Sequence, residues 1–191
     1  MKKNRLEAFS DGVIAIIITI MVLEMKIPPG DSLNALRPLI PVFISYILSY
    51  IYVGIYWNNH HHLWQLVDRV DGKVLWANLH LLFWLSLFPF TTGWMGKNHF
   101  ATWPTALYGF VVLMAALAWN ILSRSLVRLH GENSNLANTL RQTTKEKIST
   151  LIYTLALVVC FVNTWISFAL YTLVALIWFV PDRRIENQLR S

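Results

Sequence analysis

Cysteine occurs once in 191 residues, at Cys160, so no intrachain disulfide can form and cysteine usage says nothing about redox compartment. Charge is scarce too: Asp, Glu, Lys and Arg make up 14% of the chain, too little to solvate the surface of a water-soluble domain of this length. The eight glycines never fall into a phosphate-cradling pattern, and no TVGYG-like loop separates any two apolar stretches. A nucleotide-binding loop and a carbonyl-type potassium filter are thereby excluded. No arginine ladder for voltage sensing is present, because Arg124 and Arg128 are only two charges at a helix end. Only residues 129–147 form a long inner loop, so there is no room for a soluble catalytic domain and no enzyme is expected. No internal repeat is found.

Apolar and aromatic residues are abundant. With 55% hydrophobic residues and nine tryptophans, the composition is that of an all-α polytopic membrane protein. Apolar stretches cover residues 13–23, 39–57, 74–94, 105–126 and 148–180. The last is longer than the roughly 20 residues that cross a bilayer, so it is expected to reverse near Asn163-Thr164. Six transmembrane helices follow, over approximately 6–26, 36–62, 73–95, 104–129, 147–162 and 164–180, in a single unit of residues 1–191. Prolines punctuate these stretches: Pro28-Pro29 ends the first, Pro38 and Pro41 begin the second, Pro104 begins the fourth and Pro181 closes the sixth. Pro89 sits inside the third and is a candidate kink.

Basic residues set the orientation. With the amino terminus inside, the inner segments hold Lys2, Lys3, Arg5, Arg69, Lys73, Arg124, Arg128, Arg141, Lys145, Lys147, Arg183, Arg184 and Arg190. The outer loops hold only Lys26, Arg37 and Lys97. Both termini are therefore expected to be cytoplasmic. The net charge of +6 is a topological signal, and no nucleic-acid partner is expected. Met1-Lys2-Lys3 before an apolar stretch fits a signal peptide, but no small-x-small site follows Leu23 and Asp11 intrudes, so the first helix is expected to persist. The tryptophans Trp64, Trp76, Trp94, Trp103 and Trp178 are most simply interfacial anchors.

Asp11 at the start of so apolar a helix needs a reason, since an unpaired carboxylate there costs a few kcal/mol. Arg5 and Asp11 are six residues apart, about 600° of rotation, which leaves them roughly 120° apart and unable to pair directly. Arg5, Phe9, Ser10 and Asp11 are instead expected to meet a polar cluster from neighbouring helices: Asn58, Asn59, His60, His61, Asn78 and His80. A simple helix N-cap role for Ser10 or Asp11 is the plainer alternative. His60-His61-His62 suggests a metal, but adjacent helical residues point about 100° apart and only His80 lies in another span at a plausible depth. No metal or cofactor is expected, and proton sensitivity through histidine stays open. A secondary transporter is the alternative function; the absence of a repeat and of paired broken helices speaks against it.

Arg5-Leu6-Glu7-Ala8-Phe9-Ser10-Asp11 resembles the RxxxFSD signature that opens the first helix of the transmembrane protein 175 family, the endosomal and lysosomal potassium channels and their prokaryotic relatives. The resemblance extends to Trp57-Asn58-Asn59-His60-His61, to the stretch from Asn78 to Pro89-Phe90, and to six spans over essentially the whole chain. Vertebrate members carry two six-helix units; this chain has one and is similar to the prokaryotic form, which assembles as a homotetramer around the first helices. The resemblance implies a potassium-permeable channel in the plasma membrane of a prokaryote, with monovalent cations and the lipid bilayer as partners. It places a pore constriction on Ile16, a threonine layer on Thr19, and further pore-facing positions at Ile20 and Leu23. Residues 13–22 are so nearly all apolar that composition alone picks no face. Without the resemblance, Thr19 would be read as a threonine bonding its own i−4 carbonyl. Glu24 and Asp31 at the outer end fit a cation-attracting mouth or solvated loop charges equally well.

Overall fold

The computed structural model describes residues 3–140 and 144–179. Lys2, Arg141, Pro181, Arg183, Arg184 and Arg190, used above for topology, lie outside the described residues. The described residues form helices and turns, with no strand among them. They are α1 (Lys3–Leu23), a 3-10 helix (Leu33–Leu39) leading into α2 (Ile40–Gln65), α3 (Gly72–Ser86), α4 (Phe88–Lys97), α5 (Thr102–His130), α6 (Asn135–Leu140), α7 (Thr144–Val159) and α8 (Thr164–Phe179).

Local chemistry sets the ends. Asp71 caps α3, its Oδ1 accepting from the Val74 N–H at 2.8 Å. Gly131 closes α5 with φ +94°, a left-handed conformation that favours glycine. The long apolar run from residue 148 reverses after Cys160, and Asn163 starts α8 by accepting from the Trp165 N–H at 2.9 Å.

The third apolar stretch is two helices. Pro89 has no N–H to give the Leu85 carbonyl, so the ladder stops at Leu87 and restarts when the Thr91 N–H reaches the Leu87 carbonyl at 3.1 Å. By length and hydropathy, four segments among the described residues can cross a bilayer: Lys3–Leu23, Leu33–Gln65, Gly72–Lys97 and Thr102–His130. Thr164–Phe179 is a shorter apolar helix.

The long α5 runs through the centre, packed by α3, α4, α6, α7 and α8, while α1 leans on α2, α3 and α4 from one side. Trp64, Phe88, Tyr108 and Tyr171 fill the core. Between α2, α4 and α5 the buried hydroxyls satisfy one another: Ser49 Oγ lies 2.6 Å from Thr92 Oγ1 and donates to Tyr108 Oη at 3.2 Å. Many large apolar side chains remain on the outer surface, as a chain bathed in lipid or covered by other subunits requires.

Candidate functional site

Helix α1 has two apolar faces with different fates. Leu6, Ser10, Ile14, Ile17 and Met21, spaced at three and four residues, are buried against α2, α3 and α4. The opposite stripe is uncovered: Phe9 is 51% exposed, Ile16 59%, Ile20 43% and Leu23 73%. Thr19 lies on the same uncovered stripe, and its Oγ1 donates to the Ala15 carbonyl at 2.9 Å. The local bond and the outward position therefore hold together. All four positions assigned to the pore by resemblance, Ile16, Thr19, Ile20 and Leu23, fall on one exposed face of the chain.

The buried face is anchored by a polar chain crossing three helices. Ser10 Oγ donates to the Leu6 carbonyl at 2.9 Å and accepts from Asn78 Nδ2 at 2.9 Å. With its amino group committed to Ser10, Asn78 presents Oδ1 to His60 Nε2 at 2.8 Å, so that ring nitrogen carries the proton. The Trp64 indole then meets the His60 ring, its Nε1 lying 2.8 Å from Nε2 and 3.1 Å from Nδ1; with Nε2 protonated toward Asn78, Nδ1 is the accepting nitrogen. Ser10, Asn78 and His60 are all buried, and each is bonded.

A second set of contacts lies beside it. Trp57 Nε1 donates to Asp11 Oδ1 at 3.2 Å, and His61 Nδ1 sits 3.7 Å from Glu7 Oε1, an ion pair whenever His61 is protonated. Glu7 and Asp11 are four apart on α1, as Trp57 and His61 are on α2, so two antiparallel helices meet rung to rung. The Trp57 ring stacks on His61 with centroids 5.9 Å apart. At the other end of α1, Lys97 Nζ donates to Glu24 Oε2 at 2.8 Å.

Arg5, Phe9, Asn58, Asn59 and His80, all expected in the polar network, lie outside it. Arg5 is exposed and has no hydrogen-bond or ion-pair partner among the described residues, because its five-residue offset from Ser10 turns it about 140° away. Phe9 faces outward. Asn58, two residues before His60, points to the far side of α2 and lines a cavity with Tyr50, Asn59 and Trp178. His80, two residues after Asn78, accepts instead from Trp84 Nε1 at 2.9 Å. The three adjacent histidines diverge: His60 to Asn78, His61 to Gln65 at 2.9 Å, while His62 Nδ1 is buried without a partner among the described residues.

Sequence reasoning took Trp64 for an interfacial anchor, where the fold buries it against His60, and missed Glu7. A visible signal existed, since tryptophan follows histidine by four residues at both His60–Trp64 and His80–Trp84, the spacing at which an indole N–H reaches an imidazole.

Comparison with known proteins closes the case for family. Residues 5–89 match the family described as endosomal/lysosomal potassium channel TMEM175. The chain is 55% identical over its full length, and the relative's, to a potassium channel of a Chryseobacterium strain. It is 29% identical over 67% of its length to the zebrafish (Danio rerio) endosomal/lysosomal proton channel TMEM175, of which it covers 25%. Its fold superposes with a TM-score of 0.80 on the crystal structure of a lysosomal potassium-selective channel TMEM175 homolog from Chamaesiphon minutus, at 26% identity, covering 93% of this chain and 96% of that one. A signature at Arg5–Asp11, an all-helical membrane fold and a full-length relative agree: this chain belongs to the TMEM175 family of membrane ion channels.

Proposed function

We propose that four copies assemble with their α1 helices around one axis and conduct potassium, with Ile16 as the constriction and Thr19 as a polar layer above it. The observation that carries this reading is the uncovered stripe Ile16, Thr19, Ile20 and Leu23 on a helix whose other face is fully packed. Six crossings with both termini cytoplasmic, in the plasma membrane of a prokaryote, complete the arrangement.

Four Ile16 side chains on an axis form a ring too narrow and too dry for a hydrated cation, so the closed state excludes ions by dewetting. Opening widens the ring until an ion passes with part of its water. The Thr19 proton is committed to the Ala15 carbonyl, which leaves the hydroxyl lone pairs free to replace lost hydration oxygens. Potassium is favoured over sodium because its shell costs less to strip. The bacterial relatives named potassium channels support the ion, and vertebrate relatives named proton channels make proton flux a necessary companion measurement.

The test is ion flux through purified protein in liposomes, with potassium, sodium and proton gradients. Ile16→Asn is expected to raise cation flux by about tenfold or more, on the order of 1.4 kcal/mol off the barrier. Thr19→Ala is expected to erode preference for potassium over sodium. If no cation moves and neither variant changes that, α1 does not line the pore.

A further inference from the structure

The inner ends of α5 and α7 carry a cleft that ion conduction does not use. On α5, Leu117, Ile121 and Arg124 follow one another at i, i+4 and i+7. On α7, Lys147, Leu151 and Thr154 do the same. The helices pack against each other, and both cations stand at the same end, near the close of α5 and the start of α7. Each ladder therefore runs from a charged rung to an apolar one about 5–6 Å further along the helix, Ile121 on α5 and Leu151 on α7, and the α5 ladder continues to Leu117 about 10 Å away.

This cleft joins a second through shared Asn120 and Arg124. The second adds Arg128 and Ser123. Ser123 is 6% exposed, and its hydroxyl has no hydrogen-bond partner among the described residues, whereas Ser125 nearby donates to the Ile121 carbonyl at 2.8 Å. A buried hydroxyl left unbonded costs stability unless something outside the chain meets it. Arg124, Arg128 and Lys147 likewise form no ion pair or hydrogen bond among the described residues. Glu146 also lines both clefts but is already partnered, and Glu132 lines the second.

We propose that this cleft binds an anionic phospholipid, its phosphate held by Arg124 and Lys147 with Ser123 Oγ within the headgroup region, and one acyl chain lying along Ile121 and Leu151. A soluble phosphate uses only the charged end. The lipid also uses the apolar rungs, which face outward: Ile121 and Leu151 are exposed. Basic pockets between membrane helices on the cytoplasmic side are suited to such headgroups.

Native mass spectrometry of the full chain in detergent tests this, titrating phosphatidylglycerol against phosphatidylcholine with identical acyl chains. The anionic lipid is expected to be retained preferentially. Each basic residue near the membrane surface contributes about a fivefold factor, so Arg124→Gln with Lys147→Gln lowers phosphatidylglycerol retention roughly thirtyfold. Lys73→Gln, a basic residue outside the cleft, leaves it unchanged. The charge-keeping pair Arg124→Lys and Lys147→Arg retains the preference, which guards against a folding defect in the neutral pair. Equal retention of the two lipids, or no effect of the neutral pair, overturns the proposal. Displacement of the lipid by glycerol 3-phosphate at matched concentration overturns it too, in favour of a soluble anion site. Retention is read by mass, so a chain that fails to conduct leaves this result standing on its own.

Discussion

At Asn78 one side chain does two jobs, because its amide spans α1 and α2 from a position on α3. Its amino group donates to Ser10 Oγ and its Oδ1 accepts from the His60 N–H, so neither buried partner is left unsatisfied. Asn78→Ala strands the His60 N–H in a dry site and is expected to cost about 2 kcal/mol. Asn58→Ala, outside the network, is expected to change stability by less than ~0.5 kcal/mol. Thermal unfolding of the two variants in one detergent decides between them; equal midpoints would mean that Asn78 is not an anchor. The polar residue types of this network were legible in the sequence. Their pairing was not, since Asn58 against His60 and His80 against Asn78 differ by two residues along a helix, and two residues reverse the direction of a side chain.

Helix contacts are decided by what glycine permits. At Gly96 on α4 an added Cβ would sit 2.6 Å from the Val42 Cα of α2 and 2.5 Å from Ser45 Oγ, so backbone meets backbone and the helices must part. Gly96→Ala is expected to destabilise by about 1–3 kcal/mol through overpacking. Gly54→Ala, in the middle of α2 with nothing within 4 Å, is expected to be neutral or to stabilise by up to ~1 kcal/mol. Paired melting curves test the contrast, and a harmless Gly96→Ala would refute the close approach.

Where α1 ends, the Lys97 ammonium bonds Glu24 and holds its carboxyl below the usual 4.5. A depressed carboxylate pKa contributes stability above the unfolded value, and that contribution is lost as pH falls through the folded value. Both side chains are largely exposed, so the pair is worth less than ~1 kcal/mol. Melting midpoints of the native chain and Lys97→Met should differ slightly at neutral pH and converge in acid below 4.5. A gap that persists in acid would show that Lys97 acts by packing instead.

For the whole molecule the contact that matters most is the one that covers the exposed stripe of α1. The chain has a single cysteine, buried Cys160, so a Cys160→Ser background allows site-directed crosslinking without competing thiols. Ile16→Cys in that background is expected to give crosslinked dimers in membranes treated with a short thiol-reactive reagent. Val158→Cys, exposed on α7, is expected to give none. Dimers from Val158→Cys and none from Ile16→Cys would place the α1 stripe against lipid.

Sequence alone determined the class: scarce charge and long apolar runs leave the chain no environment but a bilayer, and the asymmetry of its basic residues needs no tertiary knowledge. It also marked the reversal at Asn163, because no helix of 33 residues is needed to cross 30 Å of hydrocarbon. Pro89 signalled a disturbance in the third stretch, yet only the fold made it a break into α3 and α4. The division of α1 into a packed face and an open face was decided by tertiary structure. When residues 13–22 are nearly uniformly apolar, hydrophobic pattern carries no rotational information. The register is then set by the groove that α2, α3 and α4 present and by the Ser10–Asn78–His60 bonds that fix the helix within it.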